Sequence, residues 1–419
     1  MLRCSTSGLR HRRLASTFLW IFLALGVALL TLAACQRAPQ ALPQQAYIWQ
    51  RQWRPAVAAA MQASEPLVGG WRVLAAELNA QRQWKPAYPD WQALKATTHA
   101  VVMVVRLDGQ GEQLDNATQS RIAELLARWR QQGVPVAGME IDYDCPTAQL
   151  PAYSRFLAGL RQSLDRDTTL SITALPTWLN SPELGKLLAV ADESVLQVHA
   201  VMNPRQGLFD AERAQAWLKA YARQTTRPWR VALPSYSTRV SWDDNGRIRA
   251  VESERPLLAS GKTSQELMAS PVAVSAFVAQ LDKNPAPGLV GIVWFRLPTD
   301  DDLRNWSATT WQAVLARQPL QPGLRAEARA ATVDNGDNAA GLHDLTLRNS
   351  GNADSALPLI VRINSACVAA DGINGYTLEA DAKGKYLRRT REGLLRAGYQ
   401  RQIGWVRCNQ KDIQLDVEH

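Results

Sequence analysis

Histidine is scarce in this chain. There are five in 419 residues, His11, His99, His199, His343 and His419, and no spacing brings two of them to one metal ion. There is no Gly-x-Ser-x-Gly elbow for a serine nucleophile and no glycine-rich loop to cradle a phosphate. Zinc hydrolysis, serine-hydrolase chemistry and nucleotide binding are set aside on these grounds. No cofactor and no metal are expected, and only an oxygen-ligated cation at an acidic cluster stays open. Cysteine is also sparse: Cys4, Cys35, Cys145, Cys367 and Cys408. A catalytic thiol at Cys145 would need a histidine partner that nothing nearby supplies, so a buried free thiol is the reading there. What the chain does have is 46% hydrophobic and 20% charged residues, an ordinary globular balance, and 15 tryptophans. Most tryptophans serve as core, but so many also suit an aromatic-lined cleft.

The N-terminus has the pattern of a targeting segment. Arg3, Arg10, Arg12 and Arg13 precede an apolar run from Phe18 to Leu30, which ends in LAAC at Cys35. This resembles the lipobox of bacterial lipoproteins. The resemblance implies a signal peptide over 1–34, a lipid on Cys35 and membrane attachment through it. The competing reading is an uncleaved anchor, since 18–34 is just short of the ~20 residues a spanning helix needs. Gln36 stands where an acidic residue would suggest inner-membrane retention, so the periplasmic face of the outer membrane is expected for a Gram-negative source. Residues 1–34 hold four arginines and no acids, and without them the formal net charge falls from +9 to +5. A nucleic-acid partner thereby loses its main support. Residues 35–46, polar and proline-bearing, read as a tether. In an exported chain, Cys367 and Cys408 are the natural disulfide pair.

Beyond the tether, eight short apolar runs alternate with helical patterns: 47–49, 71–78, 99–107, 136–144, 170–176, 195–202, 230–236 and 291–298. Between them, 116–132, 152–164, 211–223 and 271–283 repeat apolar residues at intervals of three and four. Strands alternating with helices over this length predict a (β/α)8 TIM barrel spanning 47–316. An open doubly wound sheet is the alternative, without the phosphate loop such sheets carry. After RQPLQPG (317–323) the pattern turns to short alternating segments between Asn/Gly/Asp turns. A small antiparallel, sandwich-like β-domain is expected over 323–419. Its basic run, Lys383, Lys385, Arg388, Arg389 and Arg391, reads as solvated surface, with an anionic glycan or lipid headgroup as the sharper option. The Asn-Gly in SWDDNGRIRAVES predicts a hairpin that walls the barrel's mouth.

The chemistry points to GMEIDYDCP, 138–146. Glu140, Asp142 and Asp144 alternate along the fourth strand, so they share one face at its C-terminal end, where barrels place their chemistry. Crowded carboxylates raise the pKa of at least one, so a proton donor and an ionised partner coexist. Elsewhere, Glu77 is expected to face the cleft or to pair with Arg72 or Arg106. Asp301 and Asp302 read as capping charges for the last barrel helix.

The run resembles the DGxDxDxE signature of family 18 glycoside hydrolases, the chitinases and their relatives. Gly138 matches the glycine, Glu140 and Asp142 the first two acids, Asp144 the catalytic glutamate, and Pro146 the proline. ALPSYS, with Pro234 and Tyr236, and GIVWF, with Trp294, resemble two later strands. The resemblance implies a glycan substrate and substrate-assisted cleavage. Asp144 would be the general acid, Asp142 would orient the acetamido group and Glu140 would support Asp142. Tyr236 and Trp294 would bind the sugar, with Trp294 as its floor. Asp144 is one methylene shorter than the glutamate it matches, Ala137 replaces a leading aspartate, and the sixth strand reads QVHAVMNP. There Gln197 and His199 are the inward candidates, followed by Asn203 and Arg205; a hydrogen-bonded interior role competes with substrate contact for His199. The chain also resembles a bacterial lipoprotein family recorded as a domain of unknown function, through IDYDCP and the segment Ile403 to Arg407. Three readings follow: an amino-sugar hydrolase, a non-catalytic glycan-binding barrel, and a structural or partner-binding lipoprotein.

Overall fold

The computed structural model describes residues 41–108, 114–199, 207–252, 263–302, 304–331, 341–410 and 412–418. The expected signal segment, Cys35 and the first half of the tether lie outside them, as do Asn203, Arg205 and His419. Leu42–His419 form one compact unit. Among the described residues no helix is long and apolar enough to cross a membrane.

Strands β1 (Gln44–Ile48), β2 (Gly70–Leu78), β3 (Trp84–Pro86), β4 (Ala100–Leu107), β5 (Val136–Tyr143), β6 (Thr169–Ala174), β7 (Glu193–Gln197) and β8 (Trp229–Pro234) follow in order. A small layer of β9 (Ser237–Trp242), β10 (Ile248–Glu252) and β11 (Thr263–Met268) precedes β12 (Leu289–Phe295). Eight of these pair in parallel, and β1 bonds to both β12 and β2, which closes the barrel. All eight predicted runs are barrel strands. The first begins at Gln44, so it takes in the last residues of the expected tether. The short β3 adds antiparallel to β2, which the pattern did not suggest.

Helices cover the outside, and short polar residues start them. Asp90, Asp115, Asp210, Ser270 and Ser307 each accept a backbone N–H of the helix they open. Ser307, rather than Asp301 or Asp302, is the cap of Ala308–Leu315. Asp302 instead accepts from Arg296 Nε at 3.1 Å and Asp301 from Thr299 at 2.7 Å, because both precede the cap by too many residues to reach the helix.

Alternation along the strands divides the apolar residues between two cores. Ile141, Ile172, Val231 and Ile292 point outward to the helices, while Tyr47, Leu74, Val104, Val195, Ala232 and Val293 fill the barrel interior. Gly138 is opposite Thr169 across β5 and β6, and a Cβ there would lie 2.7 Å from the Thr169 carbonyl oxygen. The predicted hairpin is present as β9 and β10, with Gly246 at φ +73° in its turn.

The C-terminal region is antiparallel, as expected. It comprises β13 (Leu324–Ala330), β14 (Leu342–Asn349), β15 (Ser355–Ala356), β16 (Ile360–Ile363), β17 (Cys367–Gly372), β18 (Tyr376–Asp381), β19 (Gly384–Arg389), β20 (Leu394–Leu395), β21 (Gln400–Cys408) and β22 (Leu415–Glu418). Two four-stranded sheets, β13-β14-β21-β17 and β18-β19-β16-β22, enclose a core of Leu345, Leu347, Val361, Leu387, Ile403 and Val406. Cys367 and Cys408 are directly opposed on β17 and β21 and form a disulfide. In the basic run, Arg388 pairs with Glu379, Lys385 donates to the Cys367 carbonyl and Arg389 to that of Leu357.

Candidate active site

The barrel interior holds two polar strata. The lower one is closed. Arg72 on β2 pairs with Glu140 on β5 and Glu193 on β7, and donates to Gln45 at 2.8 Å and Ser171 at 3.0 Å. Arg230 on β8 completes it, its Nε 2.8 Å from Glu193. Glu140, fully buried, also accepts from the Tyr47 hydroxyl at 2.6 Å and from Ser171 at 2.9 Å. Burial pushes the Glu140 carboxyl up, and Arg72, Tyr47 and Ser171 act against it. Donors on both of its oxygens make the ionised form the one this environment holds. Glu140 therefore lies beneath the cleft and has no path to a ligand.

The upper stratum is open. Asp142, one strand period above Glu140, accepts from Thr173 Oγ1 at 2.7 Å and Gln197 Nε2 at 3.4 Å, and lies 3.9 Å from Arg106 Nε. Burial raises its pKa, against Arg106 and Thr173. Asp144 stands just past the end of β5, exposed at the mouth, with no hydrogen bond or ion pair among the described residues. Desolvation between the cleft walls, followed by the Asp142 charge, raises its pKa to about 7. The backbone beneath it is pinned: Tyr153 donates to the Ile141 carbonyl at 3.2 Å and Trp178 to that of Cys145 at 2.9 Å. Cys145 is a buried free thiol that burial pushes up to about 12, which leaves it unreactive.

Asp142 and Asp144 border a cavity of about 410 Å³ whose walls include Tyr47, Trp49, Arg106, Thr173, Gln197, His199, Tyr236 and Phe295. Phe295 is its aromatic hub. Its ring centroid lies 5.7 Å from Tyr47, 5.2 Å from Trp49, 5.4 Å from Tyr236 and 5.2 Å, stacked, from His199. His199 Nδ1 is 3.3 Å from the Tyr236 hydroxyl, and burial lowers the imidazole to about 4, so it is neutral. Another hollow, about 600 Å³, lies between Gly185, Ala189 and residues 222–227 at the opposite, N-terminal end of β8, with no carboxylate in its lining.

Of the sequence candidates, Asp142, Asp144, Gln197, His199 and Tyr236 converge here. Trp294 does not. It is fully buried on the outer face of β12, 6.0 Å from Trp306, and donates to Gln44 at 3.0 Å. Parity decides this: Val293 and Phe295 face inward, so their neighbour must face out. Glu77 pairs with Arg51, 3.0 Å from its Nε, not with Arg72 or Arg106. The sequence reading passed over Tyr47, Trp49, Thr173 and Phe295; the strand parity that placed Gln197 and His199 would have marked Thr173 and Phe295 too.

The chain compares with known proteins as follows. Residues 97–300 match the model of a domain of unknown function, DUF3142. That match takes in most of the barrel. Residues 332–409, in the β-domain, match a second domain of unknown function, DUF8456. No curated protein matches in sequence. Among solved structures, the chain is similar to a chitinase from Chromobacterium violaceum, at 14% identity and a TM-score of 0.48, over 66% of this chain and 98% of that one. It is also similar to the spore cortex-lytic enzyme SleL of Bacillus cereus, at 12% identity and a TM-score of 0.49, over 66% and 74% of the two chains. A chitinase from Bacteroides thetaiotaomicron aligns at 12% identity and a TM-score of 0.46, over 62% and 90%.

Proposed function

We propose that this chain is an envelope lipoprotein, lipidated at Cys35, whose barrel hydrolyses a polymer of N-acetylated amino sugars. One observation carries the reading. Two neighbouring carboxylates at an aromatic cleft are differentiated, Asp142 anchored by Thr173 and Gln197, Asp144 unpartnered among the described residues and raised to about 7. A carboxyl that keeps its proton near neutral pH suits a general acid, and an anchored neighbour suits a charge stabiliser. Asp144 protonates the glycosidic oxygen as the bond to the anomeric carbon breaks. The substrate's acetamido oxygen attacks that carbon, and Asp142 orients the acetamido group and balances the positive charge. Water then opens the cyclic intermediate, with Asp144 taking its proton. On a sugar without an acetamido group, Asp142 and Asp144 would work as a direct carboxylate pair. The disulfide supports an oxidising, extracytoplasmic setting.

Arg106, 3.9 Å from Asp142, favours a second reading, a glycan-binding barrel without turnover, because its charge acts against the burial and the Asp142 charge that raise the Asp144 carboxyl, and so against a proton donor. Purified full-length protein incubated with N-acetylglucosamine oligomers and peptidoglycan, beside Asp144→Asn, separates the two. Hydrolysis that Asp144→Asn lowers by about 10²–10⁴-fold supports the enzyme. Binding without cleavage, unchanged by the substitution, supports the binding module. Neither binding nor cleavage leaves the structural role ahead for these glycans.

A further inference from the structure

Arg106 is the one cation among the described residues that line the cleft. Val104, two residues earlier on β4, faces the barrel interior, so Arg106 faces it too, one layer higher at the mouth. Its lateral neighbours in the sheet are Glu77 on β2 and Asp142 on β5. Glu77 is committed to Arg51, at 3.0 Å from Nε. Asp142 is already held by Thr173 at 2.7 Å and meets Arg106 only at 3.9 Å, beyond hydrogen-bonding distance. A guanidinium carries five N–H donors in a planar fork that matches a carboxylate. Among the described residues none of these donors has a hydrogen-bond acceptor, although the side chain is only 38% exposed. Desolvation disfavours its charge, but Asp142, Asp144, Glu77 and Asp108 outweigh that and keep it cationic. A charged, under-used fork on the cleft wall is placed to take an anionic acceptor from outside the chain.

We propose that Arg106 is a specificity residue that takes a carboxylate of the bound glycan, so that the cleft selects acidic amino-sugar polymers over neutral ones. The proposal rests on the glycan reading of the cleft and adds the substrate class. The carboxylate has two chemical sources, a uronic acid within the chain or a lactic-acid ether on the amino sugar, and the guanidinium would take either.

The test measures binding of full-length protein carrying Asp144→Asn, which blocks turnover. The four ligands are N-acetylglucosamine hexamer, a hexamer alternating N-acetylglucosamine with glucuronate, peptide-free peptidoglycan strands, and the same strands with their lactyl carboxyls reduced to alcohols. The expected result is about tenfold tighter binding of one or both carboxylated glycans than of their neutral counterparts, the size of a charge-assisted hydrogen bond. The uronate and lactyl arms show which source fits. Adding Arg106→Gln should collapse the acidic-to-neutral ratio to near one, Arg106→Lys should restore part of it, and rising salt should narrow it in the parent. Equal affinity for carboxylated and neutral glycans in the parent, or a ratio that survives Arg106→Gln, overturns the proposal while leaving the glycan reading intact. Absence of binding to all four overturns both. The parent's ratio and its salt dependence decide the matter without any Arg106 variant, should those variants fail to fold.

Discussion

Asp144 and His199 share the cleft wall but titrate against each other. Asp144, raised to about 7 from 3.8, keeps in the folded protein a proton that the unfolded chain has already lost. Its contribution therefore falls as pH rises through that window. His199, lowered to about 4 from 6.5, does the reverse. The unfolded chain binds its proton first, so stability is lost as pH falls from 6.5 toward 4. The two slopes offset over most of their overlap. Asp144→Asn removes one of them, so its melting temperature should match the parent's below pH 4 and exceed it by a margin that grows up to pH 8. A melting series that shows no such widening would contradict the raised Asp144 pKa. His199→Phe, which keeps the stacking ring, should expose the Asp144 slope as a fall in melting temperature from pH 4 to pH 7.

At the scale of the element, one strand rule explains both what converges and what does not. On β5, Glu140 and Asp142 are both inward, yet a single strand period separates a sealed ion pair from an acid that borders the cleft. On β12, Phe295 reaches the cleft and Trp294 the helical layer. Of these two rings, Phe295 is the one that lines the cleft. Phe295→Leu should weaken glycan binding by roughly three- to tenfold, on the scale of an aromatic contact. Trp294→Phe should leave that affinity unchanged while lowering stability. Titration of both variants against the same oligosaccharide, with urea unfolding alongside, reads both effects; weaker binding in Trp294→Phe alone would restore the tryptophan to the site. The lower network follows the same rule. Arg72 neutralises two glutamates that no other cation but Arg230 approaches among the described residues, which is how a barrel interior tolerates them.

Across the whole molecule, the β-domain is fastened to the rim that carries the cleft. Asp354 accepts from Ser307 N at 2.7 Å, Ser307 Oγ at 2.7 Å, Thr310 Oγ1 at 2.9 Å and Ala397 N at 2.8 Å, all buried. It thus supports the start of the last barrel helix, where Ser307 is the cap, with a carboxylate from another domain. Arg396 donates to the Asn305 carbonyl at 3.0 Å and to that of Asp302, whose carboxylate holds Arg296 beside the Tyr236 ring. Asp354→Ala leaves several buried donors unpaired and should cost about 2–5 kcal/mol, from one to three for each donor that water does not reach. Two-probe urea unfolding should then show barrel and β-domain transitions separating; a single unshifted transition would show that the carboxylate is not what joins them.

Much of this was legible in the sequence. Eight alternating runs specify a parallel sheet with helical returns, because a parallel strand needs a crossover to bring the chain back; its closure into a barrel is the bonding of β1 to both β12 and β2. The acidic triplet was legible because side chains on a strand alternate with a period of two. Cys367 and Cys408 could be paired because they stand together in one small domain. The tertiary structure alone decided how deep each inward residue lies, and depth separates the Glu140 ion pair from the Asp142–Asp144 cleft. It also decided which partners charged groups take, as with Glu77 and Arg51, or Asp354 and the helix at Ser307. Those partners lie 26 and 47 residues apart in sequence, brought together by barrel closure and domain docking, and no local pattern records such a meeting.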